Sequence, residues 1–133
     1  MSNYDKQKDE SMKPITKRPW GEFEILDRFF SDEPGSKTEI VIKRISVNPG
    51  SKLSLQSHAQ RSEQWNVVSG KGEFIIGDKK ISVKVGDCAY VPQGEKHHMI
   101  NSDNVKSLVV VEVDRGLFDE DDIVRYEDDY GRV

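Results

Sequence analysis

Four side chains in two separated stretches are of types that chelate a divalent ion. The first stretch runs Gly50, five residues, Gln56, one residue, His58, four residues, Glu63, six residues, Gly70. The second runs Gly86, five residues, Pro92, one residue, Gly94, two residues, His97, three residues, Asn101, with fifteen residues between the two stretches. His58 and His97 offer imidazole nitrogen, Glu63 a carboxylate oxygen and Gln56 an amide carbonyl oxygen. Their formal charge is −1, so an M²⁺ ion would leave the set near +1. That residual charge suits a Lewis acid whose substrate becomes negative during reaction. Zn²⁺ is the first expectation, and mixed N/O donors equally admit Mn²⁺, Fe²⁺, Co²⁺ or Ni²⁺. A single histidine in a β protein is more often a hydrogen-bonded structural residue; it is the four together that point to metal.

Such donors must converge from different strands, and a small barrel with alternating inward side chains brings them together. From Trp20 onward, short β-type runs alternate with turn signals, which predicts an all-β sandwich or barrel. The runs are Glu22–Phe30, Thr38–Val47, Lys52–Gln56, Glu63–Val68, Gly72–Ile76, Lys80–Val85, Ala89–Val91, His97–Ile100 and Ser107–Val113. Turn residues such as Asn48-Pro49-Gly50, Gly77-Asp78 and Pro92-Gln93-Gly94 separate them. The two-residue period puts Ser54, Gln56 and His58 on one face, and Glu63 with Trp65 and Val67. Lys43 falls with Val41, Ile45 and Val47. A charge on such an apolar face needs a partner, because an unpaired buried charge is very costly. His98 alternates away from His97 and is expected to face out; Trp65 is expected in the core or at the barrel rim, and Cys88 as a small core residue. The only helical expectation is a turn or two near Asp119–Tyr126, opened by acidic residues.

The chain has 133 residues, with 20 Lys+Arg, 24 Asp+Glu, three His and one Cys. These numbers predict a single domain over residues 15–133 behind a disordered polar tail over 1–14. A lone cysteine allows no internal disulfide and suggests a reducing compartment, the cytoplasm. Residues 1–14 hold no apolar signal-like run, and no stretch approaches the roughly 20 apolar residues of a membrane span. Asp114 to Tyr130 carries eight acidic residues against Arg115 and Arg125, a net of −6, and is expected to be a solvated surface segment. The remainder, near +2 without a basic stripe, argues against nucleic acid as a partner. It is compatible with a small anionic ligand held by a few Lys or Arg residues.

The two stretches resemble the paired motifs of the cupin superfamily, with Gln56 standing where the first histidine usually is. The resemblance implies a double-stranded β-helix, or jelly-roll barrel, here with a short C-terminal helical segment. Further matches run through Arg18-Pro19-Trp20-Gly21, Leu53-Ser54-Leu55-Gln56, Arg61-Ser62-Glu63-Gln64-Trp65, Asp121-Asp122-Ile123-Val124-Arg125 and Asp129-Tyr130-Gly131-Arg132. These are similar to type II phosphomannose isomerases over about residues 17–132. Family members commonly read His-His-His where this chain has His58-Ala59-Gln60. The likeness implies metal-dependent interconversion of mannose 6-phosphate and fructose 6-phosphate, with Gln56, His58, Glu63 and His97 as metal ligands. It also implies Lys43 and Arg125 as catalytic groups, Arg61 and Ser54 as substrate-binding groups, and a homodimer. The rivals are a non-catalytic cupin that binds a sugar or sugar nucleotide, as a sensor or accessory subunit, and an isomerase or epimerase of another sugar phosphate.

Overall fold

The computed structural model describes residues 15–119 and 121–131, so the tail expected over residues 1–14 lies outside the described residues. In chain order the strands are β1 (Ile15–Arg18), β2 (Gly21–Phe30), β3 (Glu39–Val47), β4 (Leu55–Ser57), β5 (Arg61–Ser69) and β6 (Lys71–Ile76). They continue as β7 (Lys79–Lys84), β8 (Cys88–Val91), β9 (His97–Ile100), β10 (Leu108–Gly116) and β11 (Val124–Glu127). One sheet has the order β1-β2-β3-β10-β5-β8 and the other β11-β4-β9-β6-β7. All the pairings are antiparallel. Among the described residues there is no helix, and hence none long and apolar enough to cross a membrane.

The core forms where the inward-facing side chains of the two sheets meet. Val47, Trp65, Phe74, Met99, Leu108 and Val110 are all buried there, and Trp65 meets Phe74 edge to face with centroids 4.8 Å apart. Fully burying a side chain of this kind contributes about 1.5–3 kcal/mol. β5 shows how the sequence writes the fold: Glu63, Trp65 and Val67 are buried while Gln64, Asn66 and Val68 are exposed. Near the site the backbones approach closely. A Cβ on Gly116, at φ +149°, would lie 2.0 Å from the Gln60 carbonyl oxygen, so β10 reaches the start of β5 only with glycine there.

Several expectations change. Ile15–Arg18 forms an extra edge strand on β2. The segment expected to be helical near Asp119–Tyr126 instead turns at Asp119–Asp122 and enters β11, which pairs with β4. The strand expected from Lys52 begins at Leu55, with one isolated bridge from Lys52 to Ile100 before it. The acidic end is not wholly solvated: Asp114 is fully buried, on the inward parity of β10 with Leu108, Val110 and Glu112. Cys88 is exposed, because Ala89 and Val91 take the inward parity of β8. His98 is buried rather than facing out. The 51–54 run lies back along β9, and the His98 Nδ1 reaches the Leu53 carbonyl at 3.1 Å.

Candidate metal centre

β4, β5 and β9 deliver the donors. His58 follows β4, Glu63 is inward on β5, and His97 opens β9, paired in register with Gln56. One ligand atom from each of His58, Glu63 and His97 lies within 4.8 Å of the others, and all three side chains are buried. His58 Nε2 is 3.4 Å from Glu63 Oε2, and His97 Nε2 is 3.7 Å from Glu63 Oε1. The far ring nitrogens are tied to backbone. His58 Nδ1 donates to the Asp122 carbonyl at 2.7 Å, and His97 Nδ1 donates to the Glu95 carbonyl at 2.9 Å. A proton on each Nδ1 leaves the Nε2 lone pair aimed at the carboxylate, the orientation a metal-ligating imidazole needs.

The electrostatics agree with that arrangement. Burial, with the Arg61 charge beside it, lowers the His58 pKa to about 4, so its imidazole is neutral at ordinary pH. Burial alone would raise Glu63. The His97, Arg61 and His58 charges, with the Trp65 indole N–H at 2.8 Å, instead hold its carboxyl down at about 2. Two imidazole nitrogens and a carboxylate face one point, a donor set that fits a divalent ion.

All eight residues singled out from the sequence line one cavity of about 480 Å³, within the range of small-ligand sites. Lys43 Nζ lies 3.4 Å from Asp114 Oδ2 and over the rings of Phe23 and Phe118, 5.2 and 4.8 Å from their centroids. Arg61 donates to Glu63 Oε2 at 3.2 Å and to His58 Nε2 at 3.1 Å, and its guanidinium lies 4.6 Å from the Phe118 centroid. Ser54 is buried at the wall, and its carbonyl accepts from the Gln56 amide nitrogen at 3.4 Å. Arg125 stands on β11 opposite Gln56, and its buried Nε has no hydrogen-bond partner among the described residues.

Four residues of the site escape the sequence reading. Glu112, on β10, lines the cavity between Lys43 of β3 and Trp65 of β5; Asp114 comes two positions later, beside Glu63. One oxygen from each of Glu63, Glu112 and Asp114 lies within 4.8 Å of the others. Burial and the Asp114 charge push the Glu112 carboxyl well above its usual range; burial and Glu63 push Asp114 up as well. The signal was present in the shared parity of Leu108, Val110, Glu112 and Asp114. Phe118 carries the cations just described. Asp122 acts as a latch: its carboxylate accepts from the Ala59 and Gln60 N–H groups at 2.8 and 2.9 Å, while its carbonyl holds His58.

With this geometry in hand, the likeness to known proteins becomes informative. Residues 5–128 match the family described as mannose-6-phosphate isomerase C-terminal, and the chain belongs to that family. It is 40% identical over 117 residues to a xanthan biosynthesis protein, XanB, of Xanthomonas campestris, covering 87% of this chain and 23% of that protein. It is 38% identical over 118 residues to a mannose-1-phosphate guanylyltransferase of Escherichia coli, again covering 87% of this chain and 23% of the relative. The chain thus spans about a quarter of the length of these curated relatives. Its fold is that of the Cnp3 cupin domain of Schizosaccharomyces pombe, with TM-score 0.59 and 12% identity over 80% of this chain and 70% of that one.

Proposed function

We propose that this domain is a metal-dependent aldose–ketose isomerase acting on mannose 6-phosphate and fructose 6-phosphate. The observation that carries the reading is the cavity beside His58, Glu63 and His97, where imidazole nitrogens and a carboxylate stand next to cations able to hold a phosphorylated sugar. His58, Glu63 and His97, with Gln56 from the same wall, would hold the ion; Zn²⁺ is the first choice among those such donors accept. When bound, the ion supplies positive charge near the sugar's C1 and C2 oxygens, where negative charge develops as the proton next to the carbonyl is removed. Arg61 and Ser54 bind the phosphate end, the guanidinium through charge-assisted hydrogen bonds. Lys43 presents its ammonium to the developing oxyanion, with Asp114 Oδ2 beside it at 3.4 Å. Arg125 brings into the cavity a buried N–H without a hydrogen-bond partner among the described residues, a donor suited to a sugar oxygen. Glu112, whose carboxyl is pushed well above its usual range by burial and Asp114, adds a group suited to carrying a proton on the same wall.

A second reading, a cupin that binds sugar phosphate without turning it over, is favoured by Gln56, a weaker donor than the histidine it replaces. One experiment separates the two. Metal-loaded protein is assayed on mannose 6-phosphate with a coupled readout, and binding is measured in parallel by calorimetry. Turnover that disappears with chelator supports the isomerase. Tight binding without turnover on any hexose phosphate leaves the binding domain.

A further inference from the structure

Arg61 occupies an unusual position for a substrate-binding residue. Its guanidinium reaches two of the donor atoms meant for the ion, His58 Nε2 at 3.1 Å and Glu63 Oε2 at 3.2 Å. The Nε2 lone pair of a neutral imidazole accepts one partner, an N–H or a metal. The Nε that meets Glu63 also lies 3.9 Å from Asp114 Oδ2, and the guanidinium carbon is 4.6 Å from the Phe118 centroid, next to Lys43. The side chain is only 10% exposed, so its alternatives are confined to these neighbours within the cavity.

We propose that Arg61 and the divalent ion are alternative partners of His58 and Glu63, so that metal loading frees the guanidinium N–H groups, already beside Asp114, Phe118 and Lys43, to complete an anion-binding subsite there. The inference deepens the reading above and rests on it for the phosphate. It makes Arg61 a coupling device as well as a contact. With the ion absent, Arg61 supplies the positive charge that Glu63 requires. Arg61 and Lys43 already lie side by side over Phe118, beside Asp114. With the ion present, Arg61 gives up Glu63, and a doubly negative phosphate takes that carboxylate's place between the two cations. Linkage then requires reciprocity: the ion tightens phosphate binding, and phosphate tightens the ion by the same factor.

The test uses calorimetry on metal-free protein with Zn²⁺ and on Mn²⁺-loaded protein with mannose 6-phosphate. Arg61→Ala should bind Zn²⁺ more tightly than the unaltered protein, by about tenfold. The enhancement of mannose 6-phosphate binding by Mn²⁺ should fall at least about threefold in the same variant. Arg61→Gln provides a second variant of closer size, expected to behave as Arg61→Ala does, should the smaller side chain prevent folding. Unchanged or weaker Zn²⁺ binding in a folded variant overturns the proposal. Tighter Zn²⁺ with undiminished coupling also overturns it, because Arg61 would then act by charge repulsion alone. Neither readout depends on turnover. Loss of the isomerase reading with these results intact would leave the exchange standing in a binding domain.

Discussion

Glu63 and Glu112 are two buried carboxyl groups in one cluster, 3% and 4% exposed, yet they ionise in opposite senses. Glu63 is held down at about 2 and Glu112 is pushed well up. Burial penalises both charges alike. What differs is the company: Glu63 faces His58, His97, Arg61 and the Trp65 N–H, whereas Glu112 faces the carboxylates of Asp114 and Glu63, which outweigh Lys43. The site thus has a donor side built to present an anion and a floor built to hold a proton. Neighbours decide the sign where burial sets the scale.

The comparison breaks most violently at the floor's counter-ion. Asp114→Ala removes the fully buried partner of Lys43 and leaves that charge uncompensated. Unfolding in urea should show a loss of about 3–5 kcal/mol, and a loss under about 1 kcal/mol would mean that Lys43 has another partner. On the donor side, His58 has a folded pKa of about 4 against 6.5 for the free group, so on acidification the unfolded chain takes the proton first. Stability of the metal-free protein is therefore complete above pH 6.5 and is lost as the pH falls toward 4, by about 3 kcal/mol in all. Urea midpoints at several pH values check this, and His58→Gln should flatten the profile over that window.

Glu63→Gln tests the residue that both clusters share. Affinity for Zn²⁺ or Co²⁺ should drop on the order of 100-fold, about 2.7 kcal/mol. Glu112 would lose one of the negative neighbours that raise it, so carbon NMR of its carboxyl should show titration moving to lower pH. The smallest effect belongs to Glu112→Gln. Because burial and Asp114 push the Glu112 carboxyl well up, replacing it with an amide of the same shape should change stability at pH 7 by less than about 1 kcal/mol. A penalty as large as that of Asp114→Ala would show that Glu112 is ionised in the folded protein.

The legible part of this molecule is the part written in alternation. Buried Trp65 and Val67 beside exposed Asn66 follow directly from a period of two, and the turn residues mark most strand ends within a few positions. Strand β1 escapes because Ile15 alone among its four residues is a large aliphatic, and β11 because its charges read as a solvated tail. Both strands owe their existence to an edge offered by distant chain, and no local pattern records that. Glu112 and Asp114 were hidden differently. They close the apolar run of Leu108–Val111, where a charge reads as the strand emerging into water, while parity keeps both pointed inward. Spacing picked out His58, Glu63 and His97, which the fold brings together; the grip of Asp122 on His58 joins residues too far apart for any spacing rule.

That grip also orders events during synthesis. His58 and the carbonyl that fixes its tautomer are separated by 64 positions. At about 5–20 residues per second, a ribosome needs several seconds to pass from one to the other. Throughout that interval the imidazole can carry its proton on either nitrogen, and nothing on the nascent chain selects the one that leaves Nε2 available. The imidazole with its Nε2 lone pair turned toward Glu63 is therefore a late product of translation, arriving only once Asp122 has been made and β11 has paired with β4. An ion captured earlier would meet a different protein.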